Sequence, residues 1–531
     1  MKSNKTLAQV AIVVGVALVT AGIAVVITFI ITKNNYSNNE LQESEKTTVI
    51  PIVETTEDPG IDYSAVLREY CETPDSVYSY NILPEYTERG LNENSTTFVL
   101  NMTSHAWSTP ELVGNGHIWW HYMTITIPQD LEFDDTALLF ITGGDNDDSP
   151  PDPTSQRTVL FSIQLAERLG MVVATVFQVP NQPIRFPNDA RDFDRYEDDI
   201  IAFGWRRFIT EAPEDPYFLV RMPMTKAAVR AMDTVTNFVS SKINRFYLTG
   251  LSKRGWTAWS TAAVDDRVVG IAPQVLDILN FEDNLQHHYR SLKGWTFALE
   301  PYWSENATQL YGTEGFYLMV QVSDPFSYRD ILTMPKYIIT AGNDQFFLPD
   351  DSHYFFDQMK GPTFMRIHPN VGHNLTPRAT FVLSELVAFI LSVEKNWQFP
   401  EMSWTRTENE THGEITMTVR EQTPRKVTAY RAATTNTYDR RDFRANYIDP
   451  ETYQLRDSLV NYVEFEVTEV GDNVFQAVTE KPDSGWVCFF IEMEFEAAVG
   501  ETIRFTSEVN IIPDVFPWDP CEGAGCYGTI V

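Results

Sequence analysis

One short segment, residues 250–255, limits the folds open to this chain more than any other feature. It reads Gly-Leu-Ser-Lys-Arg-Gly and lies between a short apolar run at 246–249 and a helix-like stretch at 256–263. A serine in such a strand–turn–helix junction is held above the carboxyl edge of a sheet, where its hydroxyl can act as a nucleophile. We therefore predict that Ser252 occupies a nucleophile position.

The surrounding sequence alternates apolar runs with amphipathic stretches. Strands that alternate with helices predict an α/β fold, with a mostly parallel sheet and helices on both faces. Combined with the junction at Ser252, this pattern predicts an α/β-hydrolase fold. The predicted strands cover residues 123–127, 137–142, 171–176, 246–249 and 337–340, and the predicted helices cover residues 158–168, 256–263 and 378–393.

The character of the sequence changes after Pro400. The runs at 414–419, 426–430, 486–491 and 503–509 resemble strands, and turn residues rather than a long helix separate them. We expect a small β-sandwich domain in this region. The predicted organisation is a cytoplasmic tail (1–9), a transmembrane signal anchor (10–31), a flexible stalk (32–62), an α/β-hydrolase domain (63–398), a β-sandwich domain (399–515) and a cysteine-containing tail (516–531).

The run 10–31 contains no charged side chain. A helix of that length spans about 33 Å, which is enough to cross a bilayer core. Lys2 and Lys5 precede the run and Lys33 follows it, which favours an amino terminus in the cytosol. A cleaved signal peptide is the alternative, although its apolar region is usually only about 7–15 residues long. We expect a single-pass membrane protein with an extracellular or luminal bulk, or a secreted protein if the segment is cleaved.

The net charge argues against one class of partner. The chain has a formal net charge of -33 at pH 7, from 73 acidic and 40 basic residues. Such a surface repels the phosphate backbone, so we expect no nucleic-acid partner. The sequence lacks an EF-hand pattern and paired C-x-x-C spacing, and we predict neither a metal site nor a cofactor.

The four cysteines fit an oxidising compartment, although four cysteines allow three pairings. Cys521 and Cys526 flank a short glycine-rich segment that can close on itself. That pairing would leave Cys71 to form a disulfide with Cys488.

Sequons for N-glycosylation agree with a location outside the cytosol. A sequon is also present at Asn374, within the part of the chain that we expect to form the active site. The predicted glycosylation sites are Asn94, Asn101, Asn306 and Asn409.

A nucleophilic serine needs a base and an acid that orients the base. In an α/β-hydrolase fold these residues follow the serine in the order acid, then histidine. Asp344 comes just after the predicted strand 337–340, and His373 comes about thirty residues later, before a predicted helix. We therefore predict that His373 is the base and that Asp344 fixes its tautomer.

The sequence also offers other residues for these roles. Asp350 and Asp351 follow Asp344 closely and could supply the acid, and His368 lies near enough to His373 to be the base. Asp344 could instead have a purely structural role, as a cap on a local turn.

An acyl-transfer site also needs donors for the oxyanion. The backbone N–H of Lys253 follows the serine directly and would face the developing charge. The loop after the third strand usually supplies a second N–H, and Gly143 and Gly144 occupy that place.

Several longer motifs resemble one known family. The segment 250–259, which reads Gly-Leu-Ser-Lys-Arg-Gly-Trp-Thr-Ala-Trp, is similar to the signature of the PhoPQ-activated pathogenicity-related protein family. That family includes secreted proliferation repressors of amoebae. Further similarities cover residues 179–183, 221–224, 227–233, 324–326, 343–350, 440–444 and 485–486 together with Trp295.

The resemblance implies an α/β-hydrolase domain followed by a β-domain. It also implies triad positions at Ser252, Asp344 and His373, and it accounts for Arg254 where other elbows have glycine. The family more often has Gly-Asp-Glu-Phe-Phe near the acid and Asp-His-Ser-Leu near the base. This chain has Asn-Asp-Gln-Phe-Phe and Gly-His-Asn-Leu, which keep the Asp and the His.

Two functions are compatible with this sequence. One is an extracytoplasmic serine hydrolase that acts on a peptide or an ester by acyl transfer. The other is a non-catalytic secreted or cell-surface signal that acts through a cell-surface receptor. The sequon at Asn374, directly after the expected base, favours the second hypothesis.

Overall fold

The computed structural model describes residues 60–435 and 438–531. The predicted cytoplasmic tail, the signal anchor and nearly all of the stalk lie outside the described residues. The helices are α1 (Val66–Glu72), α2 (Pro84–Arg89), α3 (Pro110–Val113), α4 (Arg157–Leu169), α5 (Glu197–Thr210), α6 (Arg221–Phe238), α7 (Lys253–Val264), α8 (Phe281–Leu292), α9 (Glu300–Ser304), α10 (Glu314–Ser323) and α11 (Ala379–Glu394).

In the described residues, twenty strands form two larger assemblies and one hairpin. They are β1 (Ser79–Ile82), β2 (Ser95–Ala106), β3 (Ile118–Pro128), β4 (Phe133–Ile141), β5 (Met171–Val176), β6 (Arg245–Leu251), β7 (Val268–Gln274), β8 (Lys336–Ala341), β9 (Thr363–His368), β10 (Glu401–Glu408), β11 (His412–Arg420), β12 (Lys426–Ala433), β13 (Asn446–Ile448), β14 (Leu455–Asp457), β15 (Val463–Phe465), β16 (Thr468–Gly471), β17 (Val474–Glu480), β18 (Val487–Glu496), β19 (Thr502–Thr506) and β20 (Asn510–Ile512).

The first assembly is a nine-stranded sheet in the order β1-β2-β3-β5-β4-β6-β7-β8-β9. The strands β1, β2 and β3 pair antiparallel, and β3 is also antiparallel to β5. From β5 to β9 all neighbours are parallel, so their carboxyl ends meet at one edge. The sheet is therefore mixed rather than mostly parallel throughout. The predicted strands 137–142, 171–176, 246–249 and 337–340 correspond to β4, β5, β6 and β8 of the parallel part, and 123–127 lies in the antiparallel strand β3. The sequence did not predict the parallel strands β7 and β9.

Helices cover both faces of this sheet. Side chains of β5 alternate between two cores because successive residues of a strand point to opposite faces. Val172 and Ala174 belong to the core that includes α1, α6 and α7, whereas Met171 and Val173 belong to the core that includes α4 and α11. The first domain thus has an α/β-hydrolase-like fold, as predicted.

The second assembly is an additional β-sheet domain made of two sheets. One sheet has the order β10-β11-β17-β16, and the other has the order β15-β12-β18-β19 with β20 paired to β18. Ile415 and Met417 of the first sheet share a buried core with Phe489 and Ile491 of the second. The same core includes side chains of α11, so the two domains are packed together.

Within the described residues, one helical segment, Thr376–Glu394, is long and apolar enough to cross a membrane. More than half of its most apolar stretch is buried inside the fold. Phe389 and Leu386 are fully buried in the core between the two domains. This segment is a core helix of the described structure.

A buried ion-pair network joins the two domains beside this helix. Arg366 of β9 donates to Glu385 of α11 at 2.8 Å and also pairs with Glu492 of β18. Glu385 additionally pairs with His368 at 3.0 Å. Burial alone would raise the pKa of Glu385, but His368 and the Arg366 guanidinium lower that pKa to about 2.

Replacing Glu385 by Gln should therefore destabilise the protein in a pH-dependent way. At pH 7 we expect a loss of about 3–5 kcal/mol, because Arg366 keeps a buried charge without one of its carboxylates. The ordinary pKa of a glutamate is about 4.3, so the wild-type advantage should shrink as the pH falls from about 4 toward 2.

Urea unfolding followed by tryptophan fluorescence at pH 7 and pH 3 measures this difference. Glu501→Gln is a matched control, since it removes the Arg168–Glu501 pair, in which the two side chains are 35% and 26% exposed. We expect the control to lose less than about 1 kcal/mol. Equal losses from the two variants would contradict the assignment.

Candidate active site

Ser252 lies in a tight turn between β6 and α7. Its backbone has φ 55° and ψ -130°, a conformation that non-glycine residues rarely adopt. The Ser252 N–H donates to the carbonyl of Gln274 at 2.8 Å, which ties the turn to the neighbouring strand β7. The sequence placed the serine in this junction, and the structure has the strained turn that an exposed nucleophile requires.

Two glycines allow the turn to pack. A Cβ atom on Gly250 would lie 2.8 Å from the backbone of Arg254 and 2.9 Å from the carbonyl of Ile141. A Cβ atom on Gly255 would lie 3.0 Å from the carbonyl of Gly250. The helix can therefore approach the strand only because both positions lack a side chain.

The structure brings together the predicted acid and base. Asp344 follows β8 and His373 follows β9, and Nδ1 of His373 lies 2.8 Å and 2.9 Å from the two carboxylate oxygens of Asp344. The Phe346 N–H donates to Asp344 at 2.7 Å and holds the carboxylate in place. The Phe346 ring also stacks on the imidazole, with centroids 4.2 Å apart.

The other ring nitrogen of His373 is buried, and no group in the described parts of the chain pairs with it. Because Asp344 holds Nδ1, this Nε2 atom is the one free to exchange a proton with a nucleophile. His373 and Ser252 line one cleft of about 860 Å³, which Gly143, Gly144 and Lys253 also line.

The second domain braces the loops that carry the acid and the base. Tyr462 donates its hydroxyl to the carbonyl of Gly342 at 3.1 Å and exchanges two hydrogen bonds with the side chain of Asn370. Gln345 accepts the N–H of His373 at 2.8 Å and donates to Asn446 at 2.8 Å. The second domain therefore helps to fix the distance between Asp344 and His373.

The alternative acids and base are engaged elsewhere. Asp350 accepts from His287 at 2.9 Å and pairs with Arg441, and Asp351 accepts the Leu348 N–H at 3.1 Å. His368 pairs with Glu385. None of these three residues lines the cleft that holds Ser252, as far as the chain is described.

The proposed oxyanion donors lie on the cleft wall. Lys253 is the first residue of α7, and the first N–H groups of a helix have no acceptor within the helix. The positive end of the helix dipole favours a negative charge at this point. Gly143 follows β4 and packs so tightly that a Cβ atom there would overlap the Arg254 guanidinium.

A buried group of four charges, which we call the Glu197 cluster, supports the turn. Its members are Glu197, Asp198, Lys253 and Arg254. The Lys253 ammonium lies 3.0 Å from Glu197 and 2.9 Å from Asp198, and Arg254 donates to Glu197 at 2.6 Å. Burial alone would raise the pKa of Glu197, but Arg254 and Lys253 outweigh burial and hold that pKa well below its usual range.

The sequence analysis did not single out Glu197 or Asp198. The segment 179–183, one of the motifs that resemble the family, contacts Glu197 in the structure. Arg254 also donates through Nε to the carbonyl of Val179 at 2.5 Å, and Gln182 donates to Glu197 at 2.9 Å. The segment 179–183 therefore forms the other side of the cluster. Lys253 and Arg254 thus have a structural role, because their bonds hold the segment 179–183 and α5 against the turn.

Asp277 is a second buried acid that the sequence did not single out. It lies just beyond β7, and burial followed by the charge of Asp344 raises its pKa well above the usual range. No group of three or more His, Cys, Asp or Glu residues in 60–435 and 438–531 is arranged to hold a metal ion.

The sequence profile of the PhoPQ-activated pathogenicity-related protein family matches residues 67–444, which is well over half of the chain. The chain belongs to this family. Autocrine proliferation repressor protein A of Dictyostelium discoideum is 32% identical over 482 residues, which cover 88% of this chain and 94% of that protein.

Solved structures resemble this PhoPQ-related protein only distantly. Acetyl xylan esterase from Paenibacillus sp. R4 is 14% identical with a TM-score of 0.43, over 61% of this chain and 92% of that chain. An S-formylglutathione hydrolase from Agrobacterium tumefaciens is also 14% identical, with a TM-score of 0.37 over 58% of this chain and 96% of that chain. Similarity at this level does not identify a substrate.

One of the two predicted disulfides is present in this PhoPQ-related protein. Cys521 and Cys526 are bonded, with an S–S distance of 2.09 Å. The predicted bond between Cys71 and Cys488 is wrong, since both are free and buried. Cys71 lies in the main core of the first domain, whereas Cys488 lies in a separate core with Tyr462.

The sequons differ in their accessibility. Asn94 and Asn409 are exposed, while Asn101 and Asn306 are half-buried. Asn374 is half-buried on the wall of the cleft, and its side-chain oxygen accepts the Thr376 N–H at 3.0 Å. Glycosylation at Asn94, Asn101, Asn306 and Asn409 stays a prediction.

The packing of the elbow leads to a test of stability. Gly250→Ala should cost about 1–3 kcal/mol, because the new methyl group meets backbone atoms that cannot move aside. Gly204→Ala is the matched control, since a Cβ atom there meets nothing nearer than 3.8 Å. The control lies inside α5, where alanine is the better helix former, and should be neutral or stabilising by up to about 1 kcal/mol. Denaturant unfolding compares the two, and a neutral Gly250→Ala would refute this account of the turn.

Proposed function

We propose that this protein is an extracytoplasmic serine hydrolase that cleaves an ester or a peptide bond by acyl transfer. The observation that carries the proposal is the His373–Asp344 pair in a cleft that Ser252 also lines. The uncharged run 10–31 supports a membrane anchor, with the hydrolase domain on the far side of the membrane. The acidic surface agrees with a substrate other than a nucleic acid.

The chemistry follows from the placement of these groups. The Ser252 hydroxyl attacks the carbonyl carbon while Nε2 of His373 takes its proton, and Asp344 stabilises the imidazolium. The N–H groups of Lys253 and Gly143 hold the oxyanion of the tetrahedral intermediate. The carbon–heteroatom bond then breaks, and His373 gives its proton to the leaving group. Water attacks the acyl-enzyme with the same base and regenerates Ser252.

A fluorophosphonate probe tests the nucleophile directly. We expect wild-type protein to be labelled and Ser252→Ala to be unlabelled, because the probe reacts only with an activated serine. Asp344→Asn should slow labelling by about 10³–10⁴-fold, since it favours the wrong imidazole tautomer. Ser403→Ala, at an exposed strand of the second domain, is the control and should label like wild type. Equal labelling of wild type and Ser252→Ala would sink the hydrolase proposal.

A second candidate is a non-catalytic secreted or cell-surface signal that acts through a cell-surface receptor. Asn374 favours it, since a glycan at this position would occupy the cleft next to His373. The name of the Dictyostelium relative, a proliferation repressor, points in the same direction. In this case the triad residues would be retained without turnover.

Glycan occupancy separates the two candidates. If the protein is a hydrolase, we expect mass spectrometry of glycopeptides to find Asn374 unoccupied and Asn94 and Asn409 occupied, because the last two are exposed. A fully occupied Asn374, together with fluorophosphonate labelling that appears only after enzymatic deglycosylation, would favour the signalling function.

A further inference from the structure

A second, smaller cavity lies next to Ser252. It has a volume of about 80 Å³ and is lined mainly by aromatic and aliphatic side chains, with Ser252 and Lys253 on its wall. Trp256 and Trp205 stand edge to face with ring centroids 6.0 Å apart, and Phe281 lies 5.3 Å from Trp256. We call this cavity the aromatic pocket, and it is distinct from the wide cleft that contains His373.

The position of His373 decides which part of a substrate enters each cavity. The histidine must protonate the leaving group, so the leaving group departs on the side where His373 lies. His373 lines the wide cleft, whereas the described lining of the aromatic pocket includes Ser252 and not His373. The leaving group therefore belongs in the cleft, and the acyl group belongs in the aromatic pocket.

The charges at the pocket rim are already balanced. Asp198 lines the pocket, but it pairs with Lys253 at 2.9 Å and accepts the Tyr302 hydroxyl at 3.1 Å. The Glu197 cluster holds two acids and two bases, so it leaves no single charge of either sign to recognise an ion. A charged acyl group would lose its hydration here without gaining a partner from the Glu197 cluster.

A cationic acyl group is disfavoured for a second reason. Aromatic walls attract cations, but the guanidinium of Arg221 already lies 3.8 Å from the centre of the Trp256 ring. The pocket is therefore suited to a neutral, apolar group.

The volume limits the length of that group. A cavity of about 150 Å³ with apolar walls holds one benzene molecule, so a cavity of 80 Å³ holds about three or four carbon atoms. Building on the proposed hydrolase function, we propose that the substrate is a carboxylic ester whose acyl part is a short, neutral, apolar chain. Butanoyl and 3-methylbutanoyl groups have the matching size.

Rates on 4-nitrophenyl esters of increasing chain length test this inference with the full-length protein. We expect kcat/KM for the butanoate to exceed that for the acetate by about tenfold, because two more methylene groups are buried. The octanoate should be slower than the butanoate, because its chain exceeds the pocket. An acetate or octanoate optimum would overturn the inference.

Two variants locate the selectivity in the pocket. Ala307 lies on the pocket wall, and Ala307→Leu should lower the butanoate-to-acetate ratio by about tenfold. Ala433→Leu, at an exposed position of β12, is the matched control and should keep the wild-type ratio. If Ala307→Leu does not fold, Ile209→Ala enlarges the pocket instead and should raise the octanoate-to-butanoate ratio. Ratios that do not change in a folded pocket variant would refute the assignment.

Labelling by the fluorophosphonate distinguishes failure of this inference from failure of the proposed function. A protein that is labelled at Ser252 but shows no chain-length preference retains its hydrolase function and loses the acyl-pocket assignment. A protein that is neither labelled nor active on any ester loses both.

Discussion

The left-handed turn at Ser252 is the constraint on which the candidate active site depends. A serine with φ 55° is unfavourable by itself, and it persists only where the surroundings hold it. Gly250 and Gly255 let α7 close onto β6, and the hydrogen bond to Gln274 anchors the turn to β7. The same turn orients the first N–H groups of α7 toward the cleft.

The Glu197 cluster explains how two basic residues can follow the serine without disturbing it. Lys253 and Arg254 are both buried, and each would be costly without a carboxylate partner. Glu197 pairs with both, and Asp198 takes the second contact of Lys253. The pairing neutralises the charges beside Ser252, which leaves the small aromatic pocket apolar.

The β-sheet domain is part of the site rather than an appendage. Tyr462 and, from the hairpin β13–β14, Asn446 contact the loop that carries Asp344, and the Arg366 network joins β9 to β18. Gln345 connects His373 to Asn446, and Asn343 donates to the carbonyl of Phe443 at 2.9 Å.

Local patterns along the chain were sufficient to predict the α/β-hydrolase-like fold, the serine in its turn and the order of acid and base. These features depend on hydrophobic periodicity and on turn chemistry, which act between neighbours in sequence. The sequence predicted the strand at 123–127 that lies in β3, but not its antiparallel pairing, because pairing and register depend on distant strands.

The contacts between distant segments were decided only by the tertiary structure. Glu197 lies more than fifty residues from Lys253 and Arg254, and nothing local indicates that they meet. Once Cys521 and Cys526 are paired, Cys71 and Cys488 are the two cysteines that remain, but they are buried in separate cores and do not form a disulfide. The sequence by itself determined that Ser252 occupies a strand–turn–helix junction. Tertiary packing decided what surrounds that serine, because burial and charge pairing depend on which segments come together in space.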